Sequence, residues 1–222
     1  FPDPPTPDDI EQAFEATRQL WEGRDILSLL HLPTMSDPYR LAAMQMMTIL
    51  VPAAYSAAPA LMHLLICKQV KFSIQYGNCP VSTFSYADYG LMLCGVIGDL
   101  ESGYEFGQLA LEVLERFQAT ASICRARFIV AKFIRHWKEP LRNLLPFLLE
   151  AYQSGLATGD LEHVAYNAEA YCYYSYFAGK ELKGLAQEME FYRQTLRSLK
   201  LEVALKWLEI GQQTVLNLLG LA

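Results

Sequence analysis

The chain has 222 residues, 52% of them apolar and only 19% charged, a balance that excludes a disordered polypeptide. Its formal net charge of −6 excludes general nucleic-acid affinity, which needs a basic footprint. The five cysteines, Cys67, Cys79, Cys94, Cys124 and Cys172, are odd in number, contain no CxxC pair and lie in apolar runs, so they read as reduced, buried thiols of a cytoplasmic protein.

The chain opens Phe1-Pro2-Asp3-Pro4-Pro5, with no initiating Met and no basic signal region. Residues 1–6 read as a Pro-rich linker, and the chain as a fragment of a longer protein. Thr6 suits an N-cap, with Pro7 at the first helical position and Asp8 and Asp9 in the first turn; that helix is expected to reach about Glu22 and end at Gly23. A short helix is expected near Asp25–His31, then a turn at Leu32-Pro33-Thr34. Ser36-Asp37-Pro38 is a second start signal, for a helix over 38–50; Ser56 starts another that stops at Gly77-Asn78. From Leu41 to Cys67 there is no Lys, Arg, Asp or Glu, a length that would suit a membrane span. Pro52 and Pro59 break it, and Gln45, Thr48, Ser56 and His63 interrupt it, which favours two buried helices and no membrane.

Breaks then recur about every 20 residues, at Asn78-Cys79-Pro80, Gly98-Asp99, Ala119-Thr120, Lys138-Glu139-Pro140, Gly159-Asp160, Gly179-Lys180 and Ser198-Leu199-Lys200. Helices are expected near 81–97, 101–117, 121–137, 140–157, 161–178, 181–198 and 201–219. No segment alternates with period two, so no sheet is expected. The fold class is all-α: a solenoid of antiparallel hairpins with about 10–11 helices, in one domain over 7–222, irregular over 7–77 and regular over 81–219. The end, Leu219-Gly220-Leu221-Ala222, lacks the polar outer face of a capping repeat.

Ala87 to Val113 resembles the tetratricopeptide repeat (TPR). Gly98-Asp99-Leu100-Glu101 fits that family's tight turn, and Gly90, Gly103 and Ala110 fit its small-residue positions, where helices cross closely. Gly107 stands where the family has an aromatic, so the match is TPR-like. Gly159-Asp160-Leu161-Glu162 repeats the turn.

Five longer stretches carry a closer likeness: Ser36 to Met44, Tyr76 to Pro80, Tyr89 to Leu111, Phe133 to Lys138 and Tyr152 to Glu162. They resemble the helical segment of very large bacterial signalling kinases, common in cyanobacteria. Those proteins join a Ser/Thr kinase domain, an ATP-binding AAA/NACHT-type ATPase, this segment, a GAF sensor and often a histidine kinase. The resemblance implies a regulatory or scaffold role in signal transduction, with the neighbouring domains as protein partners. The catalytic residues of such proteins lie in other domains, so it transfers none to this chain.

No P-loop, GxGxxG, HExxH, GxSxG or kinase motif occurs, so no catalytic residue and no cofactor is expected. His63 and Cys67 share a helix face but make at most half of a zinc site, so no metal is expected. Arg125, Arg127, Lys132, Arg135, Lys138 and Arg142 form a basic stretch, read either as a solvated face paired with neighbouring helices or as an anion-binding patch. Tyr166, Tyr171, Tyr173, Tyr174, Tyr176 and Phe177 crowd one helix, read as core or as a partner-binding surface. Arg125, Lys132, Arg135, Tyr166 and Tyr173 are the candidate partner-binding residues, expected to line one concave groove. A free-standing peptide-binding adaptor is the alternative. An all-helical enzyme using His136 or His163 as base is a third reading, without a visible nucleophile or metal beside either.

Overall fold

Thr6 and Asp9 begin the fold with a reciprocal capping box. The Thr6 hydroxyl accepts from the Asp9 amide, and the Asp9 carboxylate accepts from the Thr6 amide at 2.8 Å. The computed structural model describes residues 1–2 and 4–221; Asp3 of the expected linker and Ala222 of the apolar end lie outside the described residues. These hold ten α-helices, short 3-10 turns and one π turn. Among the described residues no strand forms, only an isolated bridge between Thr34 and Asn78. No described helix is long and apolar enough to cross a membrane. The chain divides into two compact units, 1–119 and 120–222.

In the first unit, helix α1 is Pro7–Arg18, and a 3-10 turn, Ile26–His31, follows it. Helix α2 runs Pro38–Ala57 and α3 runs Pro59–Tyr76. The expected stop near Leu50 and start at Ser56 are therefore corrected: α2 continues through Pro52 for another turn and more. Pro52 is exposed, so its ring lies on the solvent side of the helix, where a proline is tolerated. The break comes instead at Ala58, in a non-helical conformation, with Pro59 opening α3. Nor is α2 buried throughout: Met46 and Ile49 are exposed on its outer face.

The break after α3 is itself core. Gly77 has φ +99°, and a Cβ there would lie 2.2 Å from the Pro33 carbonyl oxygen. Asn78, fully buried, donates from Nδ2 to the Leu29 carbonyl at 2.8 Å and accepts from the Tyr86 hydroxyl at 2.7 Å. Its own amide and carbonyl bond to Pro33 and Met35. One side chain thus ties the 3-10 segment to the next helix, α4, Ser82–Met92.

A π turn, Leu93–Ile97, extends α4, and Gly98 closes it in the left-handed region (φ 83°, ψ 10°). Asp99 then caps α5, Leu100–Arg116, by accepting from the Ser102 amide at 3.0 Å. At the α4–α5 crossing a Cβ on Gly103 would sit 2.4 Å from Cys94 Sγ and 2.9 Å from the Gly90 carbonyl oxygen, which is why small residues stand there. The unit's centre is aromatic. Trp21 and Tyr89 both meet Phe106 edge-on, at 5.4 and 4.9 Å between ring centroids, contacts worth about 1 kcal/mol each beyond area burial.

The second unit contains α6 (Ile123–Phe133), α7 (Leu141–Thr158), α8 (Leu161–Phe177), α9 (Leu182–Ser198) and α10 (Glu202–Leu218). Sequential helices pack on each other, and α8 also packs on α6 and α10. The α7–α8 turn repeats the one at Gly98: Gly159 has φ 80° and ψ 13°, and Asp160 caps α8. A Cβ on Gly155 would meet Cys124 Sγ at 2.4 Å, the same close approach filled by a thiol.

Candidate functional site

The α6 periodicity places Arg125, Lys132 and Arg135 on one face only if the helix continues through them. It ends at Phe133. Ile134 leaves helical geometry (φ −124°, ψ −63°), and a 3-10 turn over Arg135–Trp137 follows. Arg135 is carried away by this turn. Its guanidinium makes a two-pronged pair with Glu139, both bonds 2.7 Å, and lies 4.7 Å above the Phe147 ring of α7. Arg127 covers the same ring at 4.7 Å and pairs with Glu150 at 2.6 Å.

Lys132 points the other way. Its ammonium pairs with Glu169 of α8, a carboxylate only 3% exposed, and lies 5.6 and 5.7 Å from the rings of Phe128 and Trp207. Tyr166 stacks on Phe128 with centroids 5.4 Å apart, and its hydroxyl reaches Glu162 at 3.4 Å. Tyr173 donates to the Trp207 carbonyl at 3.2 Å, its ring lying where a side chain on Gly211 would intrude. Arg125 sits by the start of α8: burial works to raise the Asp160 carboxyl, but the hydrogen bond and charge of His163, with a smaller contribution from Arg125, hold it below the usual carboxylate range.

Arg135 therefore leaves the face that the five expected residues were to share. Lys132, Tyr166 and Tyr173 come together with Phe128, Glu169 and Trp207; Arg125 stands one turn before Phe128 on α6, by Asp160 and the His163 that meets Tyr166, and Arg135 lies on the α7 side. Arg127, Lys132 and Arg135 each pair with a carboxylate of their own unit, so the face carried by Lys132 is aromatic with a neutralised charge. Trp207 is 57% exposed on it. Of the α8 aromatics, Tyr171 and Tyr174 are core, and Phe177 is exposed. Tyr174 donates to the carbonyls of Ala131 and Lys132, while Tyr171 meets Lys180 and Glu188. Sequence reasoning missed Glu169, although it stands three residues after Tyr166 and four before Tyr173, on the same stripe.

Burial lowers the pKa of His136, whose Nδ1 finds no partner among the described residues. His163 Nδ1 bonds Asp160 at 2.8 Å. The nearby thiol of Cys124 is pushed up to about 12, chiefly by burial, which removes thiolate character. His63 packs against Phe14, and burial pushes Cys67 up to about 11.

No protein-family model matches the chain, and no solved structure matches it. Among curated proteins, Hybrid signal transduction histidine kinase G of Dictyostelium discoideum is 23% identical over 125 residues, which is 55% of this chain and 4% of that protein. The chain thus spans a small fraction of the relative it matches.

Proposed function

We propose that the chain is a non-catalytic, TPR-like helical-repeat segment of a multidomain signal-transduction kinase. In this reading it works mechanically in the cytoplasm, holding kinase and ATPase domains on one side and a sensor on the other and passing a conformational bias between them. The observation that carries the proposal is the recurring turn: the glycine-aspartate turns at Gly98 and Gly159 share one geometry, and a cysteine packs a close helix crossing beside each, α4 on α5 at Gly103 and α6 on α7 at Gly155. Packed helix pairs of this kind shift between discrete arrangements, which suits transmission. The similarity to a hybrid histidine kinase supports the same context.

The test is the mass of the native gene product in its source cell, detected with an antibody against this chain. A species many times heavier than 25.1 kDa is expected; a species of about that mass overturns the kinase context. The adaptor reading is favoured by one feature, the exposed Trp207 beside Tyr173 and Lys132, which is the composition of an interface anchor. A Trp207→Ala variant that still folds and binds every partner of the parent chain would remove it.

A further inference from the structure

The first unit holds an open groove of about 730 Å³ between α1 and the end of α4. Its base is apolar: the buried Phe14 and Leu93 underlie it, with the half-buried Ala16 and the exposed Ile97 at its surface. Ile97, the last residue of the π turn, is 53% exposed, and such turns recur at functional sites. The rim is acidic. Asp8, Glu11 and Glu15 follow one another along α1 at one-turn spacing, and Asp99 stands on the opposite wall. The one basic lining residue, Arg18, is paired with Glu15 at 3.2 Å.

We propose that this groove is a docking site for an amphipathic helix whose apolar stripe is flanked by Lys or Arg at one-turn spacing. Charge complementarity selects the occupant: Asp8 and Glu11 on one helical edge, joined by Glu15 where a cation of the partner exchanges with Arg18, match cations spaced i, i+3 and i+7 on a facing helix, while the apolar base takes its stripe. The size agrees. Asp8 to Gln19 spans about 16 Å along α1 and its C-cap, roughly three helical turns. The basic and aromatic residues of α6 and α8 take no part, and the proposal does not depend on the kinase reading.

The test uses the whole chain and a fluorescein-labelled helical peptide of about four turns, with Leu and Ala along one stripe and Lys on its edge. The control peptide carries Glu in place of each Lys. Anisotropy titration is expected to show binding of the Lys peptide only, weakened by added salt. Glu11→Lys with Glu15→Lys, or Ile97→Asp alone, should each weaken binding about tenfold or more. Glu202→Lys on α10 should leave it unchanged. Both rim residues and Ile97 are exposed, and circular dichroism confirms that each variant folds. Equal binding of the Glu peptide, unchanged affinity in the rim or Ile97 variants, or no binding of the Lys peptide overturns the proposal. None of these outcomes bears on the mass of the parent protein, so the two readings fail separately.

Discussion

Replacing Asn78 with Ala tests whether the break between α3 and α4 is structural core. The substitution removes one partner from each of two buried groups: the Leu29 carbonyl and the Tyr86 hydroxyl. An orphaned buried group costs about 1–3 kcal/mol. The carbonyl keeps a longer bond from the Leu32 amide, at 3.3 Å, so it falls at the low end, about 1 kcal/mol. The phenol also lies within reach of Ser73 and falls at the same end, about 1 kcal/mol. The expected loss is about 2 kcal/mol. Tyr86→Phe removes the hydroxyl, so the double variant should be less unstable than the sum of the singles by about 1 kcal/mol. Denaturant unfolding would be followed by Trp21 emission, with Trp137 and Trp207 replaced by Phe so that the signal comes from the first unit. A loss under about 1 kcal/mol for Asn78→Ala, or strict additivity with Tyr86→Phe, would refute the reasoning.

Three further outcomes are expected. Gly77→Ala should lose at least about 2 kcal/mol from strain and the Pro33 clash, whereas Gly95→Ala, with open space around it, should be neutral or slightly stabilising; denaturation midpoints decide. Lys132→Met strands the Glu169 carboxylate and should cost about 3 kcal/mol, while Lys132→Met with Glu169→Leu should regain most of it, read from paired unfolding curves. His63 and His136 have pKa values lowered by burial, so near pH 6.5 the unfolded chain takes up protons that the folded chain refuses. Their contribution is whole above that pH and is lost as pH falls below it through the lowered folded-state values; His136→Phe should flatten the slope of stability against pH on that acid side.

The helix boundaries were legible because they rest on local chemistry. Gly98 and Gly159 need the left-handed conformation, and Thr6, Asp99 and Asp160 cap whatever follows. Pro52 misled for a physical reason: a proline on the solvent side of a helix costs a bond and a bend but need not end it. Asn78 reads as a loop residue from composition, and only the tertiary fold makes it a buried crosslink. At the candidate site, the stripe of Tyr166 and Tyr173 was readable from periodicity. The diversion of Arg135 was not, because it depends on where α6 stops, and Trp207 reaches Tyr173 from 34 residues away.

The thiols that fill the helix crossings also make the chain a reporter of its own breathing. Cys67, Cys79, Cys94, Cys124 and Cys172 are all buried, and burial holds the Cys67, Cys124 and Cys172 thiols in their unreactive protonated form. An aromatic disulfide reagent can reach each sulfur only when the segment that buries it opens, a helix or turn for four of them and the α3–α4 break for Cys79. Labelling rates for the individual cysteines, resolved by mass spectrometry, would rank the order in which α3, the π turn, α6 and α8 come loose in the otherwise native protein, with no probe added to the sequence.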